Sequence, residues 1–465
     1  MAAASEAASL RVSASAGSSK HHGTQGPAAG HGRGHRARDA LVFAAGVAAA
    51  LLALVGTSSV LHPGGRGGLL VSLPVPVPGP DDGPRTFYDD PELSYAVAAP
   101  GRRLTGWDAK RAQWLRSRGR RNAPERVVMV SGSQPEPCPG AAGDHLLLRF
   151  LKNKLDYCRL HGIELLYNRE FLHPAMTGYW AKIPIVRAAM VAHPEAEWVW
   201  WVDSDAVFTD MDFSLPLAKY AGRNLVVYGW PHKFFVRKSW LGLNAGVFLI
   251  RNCQWSLDFM DEWASMGPAY PEEHARWGKT FREALGDKDS DVADDQSALV
   301  YLLLNGWERL GKKTFVETEY FFQGYWKEVV DRLDGVAARY EAVERRACTP
   351  GGMGMGLRRR HAEREHLRYA AARNAAVSGV VPGPAGGGVE GWRRPLITHF
   401  VGCQPCSGGR NPMYSRESCD NGMRRALAFA DDQVLRAYGF RHAAPLNDTV
   451  RALPFDYPAA RARKH

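Results

Sequence analysis

Two carboxylates two residues apart, Asp203 and Asp205, close the apolar run in "EWVWWVDSDAVFTD" (197–210). In an extended segment, side chains at i and i+2 lie on the same side. Like charges that close repel one another unless something cationic sits between them. A hard divalent cation is the natural occupant, because it takes oxygen ligands and keeps positions open for water and phosphate. Held at the end of a strand, such an ion suits a diphosphate leaving group. Asp203, Ser204 and Asp205 are therefore a candidate nucleotide-sugar site. The plainer alternative is a strand that ends in a turn, where Asp is favoured for its local hydrogen bonds.

Other segments add to this constellation. His399 in "THFVGCQPC" follows a short apolar strand, and Gly402 there allows close backbone approach. An imidazole added to two carboxylates favours manganese over calcium or magnesium; a structural strand-end histidine is the alternative. Cys403 and Cys406 form a C-x-x-C with no second such pair for a structural zinc. A disulfide, within the pair or involving Cys419, suits a lumenal domain. Asp294 and Asp295 open a helix, where Asp is a good cap. Capping needs only one of them, which leaves the other free for chemistry. Asn244 and Gly246 precede a strand and would line a sugar pocket or simply make a turn. Lys182 in "GYWAKIP" is either a phosphate cation or a surface lysine.

The elements that must position these residues read as follows. "RVVMVSGS" is a first buried strand, "HLLLRFLKNKLDYCRLHG" a helix ended by Gly, and "IELLYN" a second strand. "YWAKIPIVRAAMVAHP" is a second helix and "EWVWWVDSDAVF" a third strand. "NLVVYGW" and "GVFLIRN" continue as strands, and "CQWSLDFMDEWASMG" and "DDQSALVYLLLNG" as helices. Strand–helix alternation predicts an α/β fold with a mostly parallel sheet covered by helices on both faces. Ligands of open α/β sheets bind beyond the carboxyl ends of the strands, which is where Asp203 falls.

The remainder of the 465 residues reads as appendages. Residues 1–39 are Ala, Ser, Gly and His rich and read as a disordered cytosolic tail. Residues 40–61 hold no charge over 22 positions, against the roughly 20 that a helix needs to span a bilayer core. Arg33, Arg36 and Arg38 precede the span and keep that side cytosolic. The segment thus reads as a signal-anchor with the rest of the chain lumenal; a cleaved signal peptide has a shorter apolar core. Residues 62–123 read as a stem, rich in Pro and Gly at first and then mixed and basic, with a peripheral helix as the other reading of that last part. Residues 124–465 read as the catalytic domain, interrupted by a Gly- and Arg-rich surface insertion at 348–391. Asn447 begins a glycosylation sequon that this topology would expose. The net charge is +11, with basic clusters at 102–121 and 358–368, yet neither carries a nucleic-acid-binding signature. A lumenal domain also meets no nucleic acid.

Several segments in order, "WWVDSDAVFTDMDFSLPL", "SWLGLNAGVFLIRNCQWSLDFMDEWASMGP", "DDQSALVYLL", "YFFQGYW", "THFVGCQPC" and "ALAFADDQVLRAYGF", resemble one plant family. It comprises the α-galactosyltransferases of galactomannan synthesis and the xylosyltransferases of xyloglucan synthesis, glycosyltransferase family 34. The resemblance runs from about residue 126 to the C-terminus. It implies a GT-A type nucleotide-sugar-binding fold with a Rossmann-like mixed sheet and helices on both faces, a single-pass type II Golgi membrane topology, a UDP-sugar donor and a polysaccharide acceptor. It implies Mn2+ on the diphosphate, held by Asp203, Asp205 and His399. It places Lys182 on the nucleotide, Asn244 near the donor sugar, and Asp294, Asp295 and Gln296 at the reacting centre. "LNAG" and "GCQPC" resemble the galactomannan branch, whereas the xylosyltransferases resemble "LNTG" and "GCKPC". The expectation is a retaining α-galactosyltransferase acting on the 6-hydroxyl of a β-1,4-mannan backbone. The alternatives are a xyloglucan xylosyltransferase using UDP-xylose, or a non-catalytic Golgi scaffold. Complexes with other polysaccharide synthases, or a homodimer, are the implied protein partners. The aromatics of "YFFQGYW" would stack on sugar rings or belong to the core.

Overall fold

A computed structural model of the chain describes residues 93, 103–118, 126–348, 393–438, 440–444 and 449–452. The expected cytosolic tail at 1–39, the expected signal-anchor at 40–61, the Asn447 sequon and nearly all of the expected 348–391 insertion lie outside the described residues. Among the described residues no helix is long and apolar enough to cross a membrane.

In chain order the elements that matter to the site are α1 (Trp107–Ser117), β1 (Val127–Gly132), α2 (Ala141–His161), β2 (Glu164–Asn168), α3 (Lys182–Ala192), β3 (Trp198–Val202) and β4 (Ala206–Phe208). There follow β5 (Leu225–Gly229), β6 (Leu243–Arg251), α4 (Gln254–Ala264), α5 (Pro271–Ala284), α6 (Asp295–Asn305), β7 (Thr314–Glu317) and β8 (Gly324–Tyr325). The last are α7 (Leu333–Cys348), β9 (Ile397–His399) and α8 (Arg416–Ala437). Gly162, in the left-handed region at φ 64°, ends α2 where the sequence placed a terminal glycine.

Six strands form one sheet in the order β2-β1-β3-β6-β5-β7, and three form a second in the order β4-β9-β8. Every residue of β3 is buried. Trp198, Trp200 and Val202 pack on one face of the sheet with Phe150 and Tyr157 of α2. Val199 and Trp201 pack on the other with residues of α3, α4 and α6. Burial on both faces explains why "WVWWV" reads as a continuous apolar run rather than an alternating one. The large sheet is the expected α/β sheet with helices on both faces.

The sheet is mixed, as the GT-A resemblance implies, and not mostly parallel as strand–helix alternation alone suggests. β6 runs antiparallel to both of its neighbours, β3 and β5. Residues 230–242 join β5 to β6 through a five-residue helical segment (His232–Val236), and the chain returns antiparallel beside β5. As a result the start of β6 meets the end of β3, with Val247 opposite Val202.

The boundary at residue 123 also needs correction. Part of the expected stem, residues 103–118, packs on the domain through α1 and the turn before it. Trp107 is fully buried, and its indole N–H donates to Asn252 Oδ1 at 2.8 Å. Gln254 Nε2 donates to the Leu104 carbonyl at 2.7 Å, and Arg111 pairs with Glu197. The mixed, basic composition of this stretch concealed one large aromatic anchor.

Candidate active site

β3 ends at Val202 and the chain turns through Asp203, Ser204 and Asp205 into β4, which belongs to the second sheet. The two carboxylates thus sit on the joint between the sheets. β9 pairs antiparallel with β4 and sets His399 opposite Ala206. The three side chains converge: His399 Nε2 lies 3.1 Å from Asp205 Oδ1 and 3.6 Å from Asp203 Oδ2. One ligand atom from each lies within 4.8 Å of the others.

The neighbours of this triad fit a cation. A Cβ on Gly246 would overlap His399 and come within 2.5 Å of Asp203 Oδ2. Gly246 thus clears the space in which the ligands meet. The other Asp203 oxygen is already engaged, since Trp201 Nε1 donates to Oδ1 at 2.6 Å. That leaves Oδ2 on the side of His399. Attraction to His399 and Lys154 overcomes the effect of burial and holds the Asp205 carboxyl below its ordinary range. Two acidic oxygens and an imidazole nitrogen are a donor set for a divalent cation.

Lys182, at the start of α3, is buried rather than on the surface. Its ammonium lies 2.7 Å from Asp295 Oδ2 and 3.3 Å from Asp203 Oδ1, and it donates to the Ala245 carbonyl at 3.1 Å. Burial pulls its pKa down, but Asp203 and Asp295 outweigh that and hold it above the ordinary lysine range. Burial also pushes the Asp295 carboxyl up to about 6, against the pull of Lys182. Lys182 therefore links the cation-binding turn to the N-terminus of α6.

The adjacent acids have separated roles. Asp294 caps α6: Oδ1 accepts from Ser297 N at 2.7 Å, and Oδ2 accepts from Ser297 Oγ at 2.7 Å and Lys288 Nζ at 2.6 Å. Both of its oxygens are thus occupied, whereas Asp295 faces Lys182. Asn244 and Gln296 bond to one another at 3.3 Å, and Gln296 Oε1 also accepts from Ala245 N. They brace the start of β6 beside Lys182.

Of the readings left open, three narrow. Gly402 adopts φ 81° in the turn after β9, and a Cβ there would press on Tyr414 at 2.9 Å. It makes the turn and does not line the cleft. Cys403 and Cys406 do not pair with each other; Cys403 is bonded to Cys419, and Cys406 to Cys138. Of the "YFFQGYW" aromatics, Tyr320, Phe321, Phe322 and Trp326 are core. Gln323 in that stretch, which sequence reading passed over, is buried 3.3 Å from His399 Nδ1 and orients the imidazole. No local pattern marks a lone glutamine among aromatics as such a partner.

A cleft of about 340 Å³ opens in front of the triad. Gly132 and Ser133 at the end of β1, Tyr179, Lys182, Trp201, Asp203, Ser204, Asp205, Gln404 and Cys406 line it. It lies beyond the carboxyl ends of β1 and β3, where α/β sheets bind ligands.

The model of the galactosyl transferase GMA12/MNN10 family matches residues 123–409. A probable glycosyltransferase 6 of Oryza sativa subsp. indica is 62% identical over 489 residues, covering 99% of this chain and 100% of that protein. Galactomannan galactosyltransferase 1 of Cyamopsis tetragonoloba is 51% identical over 378 residues, covering 81% of this chain and 82% of its own. A solved glycosyltransferase involved in the glycosylation of the major capsid of PBCV-1 covers 64% of this chain and 98% of its own. It does so at 12% identity and a TM-score of 0.33, too low a likeness to bear on the function.

Proposed function

The chain belongs to the galactosyl transferase GMA12/MNN10 family of glycosyltransferases, and from that premise we propose a retaining α-galactosyltransferase. It transfers galactose from UDP-galactose to the 6-hydroxyl of a β-1,4-mannan backbone in the Golgi lumen. The observation that carries the choice of sugar and acceptor is the 51% identity to a galactomannan galactosyltransferase over four-fifths of the chain.

The residues divide the work as follows. Asp203, Asp205 and His399 would hold a divalent cation, Mn2+ in this reading, which would supply positive charge to the diphosphate. Ser133, Tyr179 and Ser204 in the cleft wall take the nucleotide. Lys182 is saturated by Asp203, Asp295 and Ala245, so it fixes the site's charges rather than gripping phosphate. Asp295, not Asp294, is the carboxylate that steadies positive charge at the sugar carbon, because Asp294 is committed to capping α6. Retention follows from attack on the face that UDP leaves.

The test is a matrix of full-length protein with UDP-galactose or UDP-xylose against manno- and cello-oligosaccharides, with and without Mn2+. Galactose transfer to mannan that stops on chelation is the expected result. Xylose transfer to cello-oligosaccharides would replace this reading with a xyloglucan xylosyltransferase. UDP binding with no turnover on any acceptor would replace it with a Golgi scaffold.

A further inference from the structure

β4 is an edge strand of its sheet, with β9 on one side and no strand on the other among the described residues. Backbone groups along a strand alternate between its two edges. Asp205 O accepts from Phe400 N at 3.1 Å and Thr209 N donates to Leu396 O at 2.8 Å, both toward the β9 side. The carbonyls of Ser204 and Ala206 and the peptide groups of Phe208 face the other edge. That edge is buried, and unpaired backbone groups there would be costly.

Two consecutive side chains of α2 take the place of the missing strand. Asn153 Nδ2 donates to Phe208 O at 3.0 Å, and Asn153 Oδ1 accepts from Phe208 N at 2.7 Å. Lys154 Nζ donates to Ala206 O at 2.8 Å and to Ser204 O at 3.1 Å. Lys154 is wholly buried, and among the described residues no carboxylate lies within ion-pair distance of its ammonium. Burying an amine in that way costs stability unless its donors are used. Here they are used on the two carbonyls that flank Asp205.

We propose that Lys154 is a positioning residue for the cation site: it pins the peptides on either side of Asp205 so that this carboxylate meets Asp203 and His399. The inference rests on the reading of that triad as the Mn2+ site. Asp205 is then fixed from both edges, by Phe400 next to His399 on one and by Lys154 on the other. Burial lowers the Lys154 pKa to about 7, with Asp205 and Asp203 resisting. The clamp does not depend on its charge, since the neutral amine also carries two N–H donors.

The experiment is calorimetric titration of full-length protein with Mn2+ alone, without donor or acceptor. Lys154→Met keeps the length of the side chain and removes both donors. It is expected to raise the Mn2+ Kd by about tenfold to a hundredfold, the usual effect of losing a partner that orients metal ligands. Lys154→Gln, which keeps amide donors on a shorter chain, is expected to raise it less. Cys158→Ala, one turn along the same buried face of α2, controls for general loosening. It should lower the melting temperature and leave the Mn2+ Kd unchanged. Wild-type affinity in Lys154→Met overturns the proposal, as does an equal loss in Cys158→Ala. Asp203→Asn separates the two layers: if it binds Mn2+ like the wild type, the cation-site reading itself fails.

Discussion

At the scale of single residues, one hydrogen atom decides whether the triad can close. Gly246→Ala puts a methyl group where His399 and Asp203 approach, and its backbone is not in the left-handed region. The substitution therefore tests space alone. Its Mn2+-dependent activity should fall at least about tenfold with circular dichroism unchanged, since outer-shell disturbance of metal ligands is worth that much. The two adjacent acids predict opposite phenotypes. Asp294→Ala should lose about 1–2 kcal/mol of stability, as a lost N-cap does, and keep measurable turnover. Asp295→Asn should lose turnover by a hundredfold or so with little change in melting temperature. Parallel melting curves and initial rates separate them. The sequence made this division half visible: "DDQ" showed that one acid was spare, and only the cap geometry identified which. Asp203, Asp205 and His399 were each ordinary in isolation, as a turn or a structural histidine; it was the resemblance of their segments to one family that joined them. Gln323 and Lys154 were not legible, because an ordinary residue type becomes special only through a partner far along the chain.

Among the elements, strands and helices were readable from apolar runs and their punctuation, but direction was not. Nothing in "GVFLIRN" says which way it runs. β6 runs antiparallel to both β3 and β5, and it is this reversal that brings Gly246 to the end of β3. α1 is the peripheral helix offered as the second reading of this stretch; its docking on the domain was not legible because the buried contact is concentrated in Trp107. Trp107→Ala should cost about 3–5 kcal/mol, the usual effect of emptying a buried indole site, and a chain cut at residue 123 should melt lower than one cut at residue 102. α8 supplies a pH-dependent tie. Burial raises the Asp432 carboxyl, but Arg436 and the His442 N–H outweigh it and hold the group below the ordinary 3.8. Because the folded pKa lies below the unfolded one, this tie contributes fully above the ordinary carboxylate range. It is lost as pH falls through the lowered value. Asp432→Asn should flatten the acid limb of a plot of melting temperature against pH, below about pH 4.

For the molecule as a whole, the proposed lumenal setting makes a chemical prediction. In protein passed through an oxidising compartment, peptide mapping without reductant should recover Cys138 linked to Cys406 and Cys403 linked to Cys419. Protein made under reducing conditions should lose roughly 2–5 kcal/mol of stability and bind UDP less tightly, because Cys406 forms part of the cleft wall. The joint between the two sheets carries a further consequence, one of timing. The large sheet has all its strands by Glu317, and the two carboxylates are present long before that. His399 lies 194 positions beyond Asp205 and arrives on the strand that completes the second sheet. A growing chain can therefore assemble most of its core and still be unable to hold an ion. Competence waits on the strand that carries His399, so a chain broken off between Asp205 and His399 is expected to hold no ion at this site.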